Sequence, residues 1–140
     1  MSDDATRVWR GLRELTLERN DRRREVCRTL DLGFVKVKAL LYLAEQPLSM
    51  SALASALLVD APYTSVIVTD LERRGLVTRS PNPDDGRSKL VDATALGRKA
   101  ARTADAILSE PPPSLRNLNG RDLAALDRIT SALLEDRSAR

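Results

Sequence analysis

The sequence contains no histidine and a single cysteine, Cys27. These two scarcities exclude a good deal of chemistry. No disulfide can close within one chain, and zinc sites built from cysteine and histidine have no ligand set. Nucleophilic triads that use histidine as base are also ruled out. Aromatic residues make up only 3% of the chain, so a core must be built from Leu, Val, Ile and Ala. No glycine-rich phosphate loop or paired-carboxylate arrangement stands out, so the chain is expected not to be an enzyme and to hold neither cofactor nor metal. No apolar run approaches the roughly 18 residues of a membrane span. The N-terminal stretch is charged and lacks the apolar region of a signal peptide. The expected location is therefore the cytoplasm, with no membrane partner.

What is present fits one globular domain: 140 residues, 42% hydrophobic and 31% charged. With 23 basic and 20 acidic residues, the net charge of +3 is only a mild hint of an anionic partner. Between positions 61 and 90, Arg73, Arg74, Arg79, Arg87 and Lys89 are nearly balanced by Asp70, Glu72, Asp84 and Asp85. No dense basic stripe exists there, so nucleic-acid binding has to be argued from architecture.

Taken in order, Thr6 to about Leu30 reads as a helix, with Val8, Leu12, Leu15 and Arg19 at three- and four-residue steps and Val26 and Leu30 resuming later. A helix this polar needs a partner surface. Its cluster of Arg19, Arg22, Arg23, Arg24 and Arg28 is either a solvated face paired with Glu18, Asp21 and Glu25, or the rim of an anion site. Asp31-Leu32-Gly33 breaks the helix. Phe34 to Gln46 reads as a buried helix ended by Pro47. Ser49 or Ser51 can cap a short helix with Leu53, Ala54, Leu57 and Leu58 as its apolar face. After a turn, Asp60 is a fair N-cap and Pro62 is tolerated in the first turn of the next helix. In that helix, about Ala61 to Arg74, the residues Thr64, Ile67, Val68 and Leu71 point to a core. Pro62, Val66, Thr69, Asp70 and Arg73 lie on the opposite side, with Tyr63 and Ser65 near the N-terminal end. Gly75 suits the left-handed position after a helix. Leu76 to Ser80 alternates as a strand, Pro81 to Gly86 is a loop of turn formers, and Arg87 to Asp92 is the return strand. Thr94 caps a long helix to about Glu110, Pro111-Pro112-Pro113 stops or bends the path, and Asn119 starts a last helix with Leu123, Leu126, Ile129 and Leu133 on one stripe.

Helix, turn, helix and hairpin in this order are the parts of a winged helix-turn-helix. The spacing of Leu71-Glu72, Gly75-Leu76-Val77, Arg79, Asp85-Gly86-Arg87, Val91, Thr94 and Gly97 resembles that of the MarR family of bacterial winged-helix regulators. The likeness runs over nearly the whole chain. It departs from the family in the middle of the recognition helix, where Val66-Ile67-Val68-Thr69-Asp70 replaces a usually more polar or basic run, and at Ala93, where leucine is more usual. The resemblance implies a mainly α fold with a small β-hairpin wing, in which a winged helix-turn-helix DNA-binding region at 34–93 is flanked by helical dimerisation regions at 6–30 and 95–138. It also implies a homodimer that binds double-stranded DNA at a pseudo-palindromic operator, acting as a repressor. A small aromatic or phenolic ligand, lodged between the two regions, would relieve DNA binding.

The residues expected to meet DNA are Pro62, Tyr63, Ser65, Val66, Thr69 and Arg73 on the helix and Arg79, Arg87 and Lys89 on the hairpin. Val66 offers methyl groups to a thymine; Ser65 and Thr69 offer hydroxyls to a base or phosphate. Arg87 is the foremost candidate, because an arginine at a wing tip can enter a narrow minor groove. Asp85 resembles the family's acid that braces the wing through an arginine. Asp70, awkward beside phosphate, is expected to pair with Arg73 or Arg74. Phe34, Val37, Leu41 and Leu96 line a ligand pocket or are ordinary core. Cys27, with arginines nearby, is a packed cysteine or an oxidant sensor. The competing function is a winged-helix module that docks on another protein without reading DNA.

Overall fold

The computed structural model describes residues 3–136. They form two compact units, the first ending at Ser109 and the second beginning at Glu110. The first begins with α1 (Asp4–Arg13), capped by the Asp3 carboxylate on the Thr6 amide at 2.8 Å. A π-helical turn at Glu14–Arg19 follows, and the chain then breaks before α2 (Arg23–Leu30). The single helix expected from Thr6 to Leu30 is thus two. Asn20 and Asp21 cause the break, because short polar side chains bond the backbone in competition with the helix ladder. Asn20 Nδ2 donates to the Leu15 carbonyl at 2.8 Å, and the Asp21 carboxylate accepts from the Arg23 amide at 2.9 Å. Asp21 also pairs with the Arg23 guanidinium at 2.8 Å, which holds its carboxyl down to about 2.

Asp31 closes α2 in the left-handed conformation at φ 52°, and Leu32 is buried behind it. The core helix α3 (Phe34–Glu45) buries Val37, Ala39, Leu40 and Leu43 and ends before Pro47. A two-residue strand, β1 (Leu48–Ser49), leads into α4 (Met50–Leu57), whose cap is Ser49: its hydroxyl accepts from the Ala52 amide at 3.0 Å. Leu53 and Leu57 face the core, but Leu58 does not. It takes the left-handed C-cap position at φ 59° and is 88% exposed. The apolar period expected to include it stops one residue early because the backbone turns there.

The helix α5 (Ala61–Arg73) follows, then β2 (Val77–Asn82), β3 (Asp85–Ala93) and α6 (Ala95–Leu108). The sheet has the order β1-β3-β2, all antiparallel. Its hairpin is longer than the sequence suggests, since Pro81 and Asn82 belong to β2 and Asp85 and Gly86 to β3. The proline-rich loop shrinks to Pro83-Asp84. Pro81 pairs with Lys89 and Asn82 with Asp85, so Gly86, Arg87 and Ser88 bulge out of β3. Proline donates nothing to a ladder and is tolerated on an outer strand, and β2 is one.

One core joins these elements: Val26, Val37, Leu40, Leu53, Ile67, Leu71 and Val91 are all fully buried. The second unit contains α7 (Pro113–Arg116), a short turn of helix not anticipated from sequence, and α8 (Gly120–Glu135). Asn119 caps α8 by accepting from the Asp122 amide at 2.8 Å, as its position suggests. Residues 137 and 138 of the expected dimerisation region lie outside the described residues. Among the described residues no single helix is long and apolar enough to cross a membrane.

Candidate nucleic-acid interface

The recognition-helix candidate α5 is fixed at both ends by its own sequence. Asp60 accepts from the Tyr63 amide at 2.8 Å, and Pro62 occupies a first-turn position where a missing N–H costs nothing. Thr64 is fully buried, and its hydroxyl donates to the Asp60 carbonyl at 2.8 Å, so no polar atom is stranded under the helix. Thr64, Ile67, Val68 and Leu71 form the inner face as expected. At the far end Gly75 takes φ 76°. Thr94 then ties the junction together: its hydroxyl donates to the Gly75 carbonyl at 2.7 Å and accepts from the Gly97 amide at 3.0 Å, while its amide donates to the Leu76 carbonyl at 3.0 Å. The end of α5, the base of the hairpin and the start of α6 therefore share one set of hydrogen bonds.

The outer face of α5 carries Pro62, Tyr63, Val66 and Arg73, all exposed, with Ser65 and Thr69 half-buried between them. Asp70 leaves this face. It pairs with Lys36 Nζ of α3 at 2.9 Å and with Arg74 Nε at 3.0 Å, while Arg73 stands off at 3.8 Å. The Lys36 hydrogen bond is the main reason its carboxyl lies below the usual carboxylate range; partial burial opposes, and the charges of Lys36, Arg74 and Arg73 add. Arg74 completes the group by donating to the Asp31 carbonyl at 2.7 Å. The expected pairing of Asp70 with Arg73 or Arg74 is present, but Lys36 was missed. Its sequence signal is weak, because it is one of three charges, with Lys38 and Glu45, in a mostly apolar helix.

The hairpin divides its cations into tied and untied. Arg79 donates to Thr69 Oγ1 at 2.8 Å and to Glu72 at 3.2 Å, bracing β2 against α5. Arg87 and Lys89 are exposed on β3, and neither head group enters an ion pair among the described residues. Asp85 braces the wing differently from expectation: its carboxylate accepts from the Arg87 backbone amide at 3.0 Å, not from an arginine side chain. The bulge puts that amide within reach of the carboxylate two residues back, leaving the guanidinium outside. Arg79, Arg87 and Lys89 together border a groove of about 770 Å³ shared with Met50, Ser55 and Leu58.

The expected ligand-pocket residues do not converge. Leu41 lines an open cleft of about 510 Å³ between α3 and α6, with Ala44, Arg98 and Ala101. Val37 is fully buried, Phe34 packs against the core, and Leu96 is exposed near the start of α6. Cys27 is half-buried and packs against the core cluster. No group of three or more acidic or cysteine side chains placed to hold a metal occurs among the described residues.

Residues 30–88 match the model of the MarR family. No curated protein is a significant match by sequence. Among solved structures, apo wild-type MarR from E. coli is 20% identical over 96% of this chain and 99% of that one, with a TM-score of 0.73. The S. aureus MepR–DNA complex is 22% identical over 87% and 97%, at 0.60. NadR in complex with 4-hydroxyphenylacetate is 22% identical over 98% and 96%, at 0.68. These likenesses establish the fold over nearly the full length.

Proposed function

We propose that this chain, whose residues 30–88 match the MarR family, is a transcription regulator that acts as a homodimeric repressor and grips a pseudo-palindromic operator with α5 and the wing. The observation that carries the reading is the wing itself: Arg87 and Lys89 stand exposed and unpaired among the described residues, beside an α5 whose outer face is open. A cation without a protein partner is available to replace a counterion on a phosphate or to enter a narrow minor groove. The MepR neighbour was solved on DNA, which supports the same use of the fold here.

Dimerisation is supported by α1 and its π-helical extension. Val8, Trp9, Leu15 and Leu17 are all exposed, and α1 buries none of its own residues. An isolated helix of that length is marginal in water, so a second copy is the natural partner for it. The helical regions 6–30 and 95–138 supply that contact, and 34–93 supplies the DNA contact. A small aromatic or phenolic ligand in the cleft beside Leu41 would relieve DNA binding, and the NadR neighbour's 4-hydroxyphenylacetate supports that class.

The test is the affinity for DNA enriched from a random pool, followed by fluorescence anisotropy across a salt series. Arg87→Ala is expected to weaken binding at low salt and to reduce the log–log salt slope by about 1, the share of one phosphate contact. An unchanged affinity and slope would remove the wing from the interface. Failure of the native chain to enrich any duplex would favour docking on another protein instead.

A further inference from the structure

Resting on that reading, we infer that Val66 is a specificity-determining residue that reads the C5-methyl group of one thymine in each half-site. The argument starts from what the outer face of α5 can still offer. Asp70 is committed to Lys36 and Arg74. Thr69 is half-buried and its oxygen is held by Arg79 at 2.8 Å. Ser65 is half-buried as well. Arg73 belongs to the last turn, far from the end of the helix that enters a groove first. What stands clear near the middle is Val66, 60% exposed, with Tyr63 one turn earlier at 47%.

Base edges in the major groove present donors, acceptors and one apolar group, the thymine methyl. A valine has no hydrogen bond to give, so the methyl is the one feature by which it can tell bases apart. Its branched side chain is also held in essentially one rotamer on a helix. It therefore loses little freedom on contact, unlike the long cations usually found in such a place. A lone exposed valine is unremarkable on most surfaces. Here it is singled out because Thr69 and Asp70, the polar side chains one turn along the same face, are turned to the protein's own braces.

The experiment uses the full chain and the duplex it enriches from random DNA. Each thymine is replaced in turn by uracil, which deletes the methyl and keeps every hydrogen-bonding group, and affinity is read by anisotropy. One thymine per half-site is expected to lose about fourfold on replacement, the effect of one buried methyl-sized group. In Val66→Ala the thymine and uracil duplexes should bind alike at that position, while sensitivity elsewhere is retained. Val66 has no place in the core, so the variant folds as the native chain does. If all uracil duplexes bind the native chain as tightly as the parent, or if Val66→Ala keeps the same thymine-to-uracil ratio, the inference is overturned and operator binding stands. If no duplex is enriched at all, the DNA-binding reading falls with it.

Discussion

At the scale of single residues, local chemistry decided most of what was legible. Ser49, Asp60, Thr94 and Asn119 are caps by residue type and position, and each accepts the amide a cap should. Leu58 shows the limit. Its apolar side chain fits the period of α4, but nothing in the sequence marks it as left-handed, a conformation leucine disfavours by about 1–2 kcal/mol. Leu58→Asn, which tolerates φ 59° and gives up an exposed apolar side chain, is expected to raise unfolding stability by about 1 kcal/mol, read as a higher urea midpoint. No change or a loss would mean that the side chain makes contacts its exposure does not suggest. Asp70 yields a pH prediction. Its carboxyl is held below the ordinary 3.8 in the folded chain, chiefly by Lys36. Its contribution to stability is thus complete above that value and is lost as pH falls through the lower folded one. Asp70→Asn should be less stable at neutral pH, because Lys36 is left half-buried without its partner, and should lose less on acidification below about pH 4. Equal pH profiles for the two chains in urea titrations would contradict this.

At the scale of elements, helices with a strong apolar period were readable, and junctions between elements were not. The inner face of α5 follows from spacing alone. The bond between Lys36 and Asp70 crosses 34 positions of sequence, and no local pattern announces it. The same holds for the hairpin, whose turn formers suggested a six-residue loop while the pairing partner drew four of those residues into strands. Gly97 illustrates a junction demand that only three dimensions reveal. A Cβ there would lie 2.0 Å from the Leu76 carbonyl oxygen, a backbone atom with little room to yield. Gly97→Ala is expected to destabilise by about 3 kcal/mol, as overpacking at a rigid contact does. Because Leu76 and Thr94 also fix the base of the wing, the surviving folded fraction should bind DNA less tightly. Thermal unfolding and anisotropy on one preparation test both parts, and a melting temperature unchanged from the native chain would contradict the close approach.

At the scale of the whole molecule, the family likeness was legible because its signals are dense at Leu53-Ala54 and between Val68 and Gly97. The partner surfaces were only partly so. The polar first helix needed something to pack on, and in the folded chain Trp9 remains 67% exposed and Val8 59%. Trp9→Glu combined with Leu15→Glu is expected to convert a sedimenting dimer into a monomer and to lower operator affinity with it; an unchanged sedimentation coefficient would place the dimer contact elsewhere. The central claim is that α5 and the wing meet DNA in pairs, and a hydroxyl-radical footprint on the enriched duplex tests it most directly. Two related protected segments are expected, centred about 34 Å apart on one face of the helix, with flanking minor-groove protection that disappears in Arg87→Ala. A single unpaired footprint, or protection no stronger than on unrelated DNA, would contradict it.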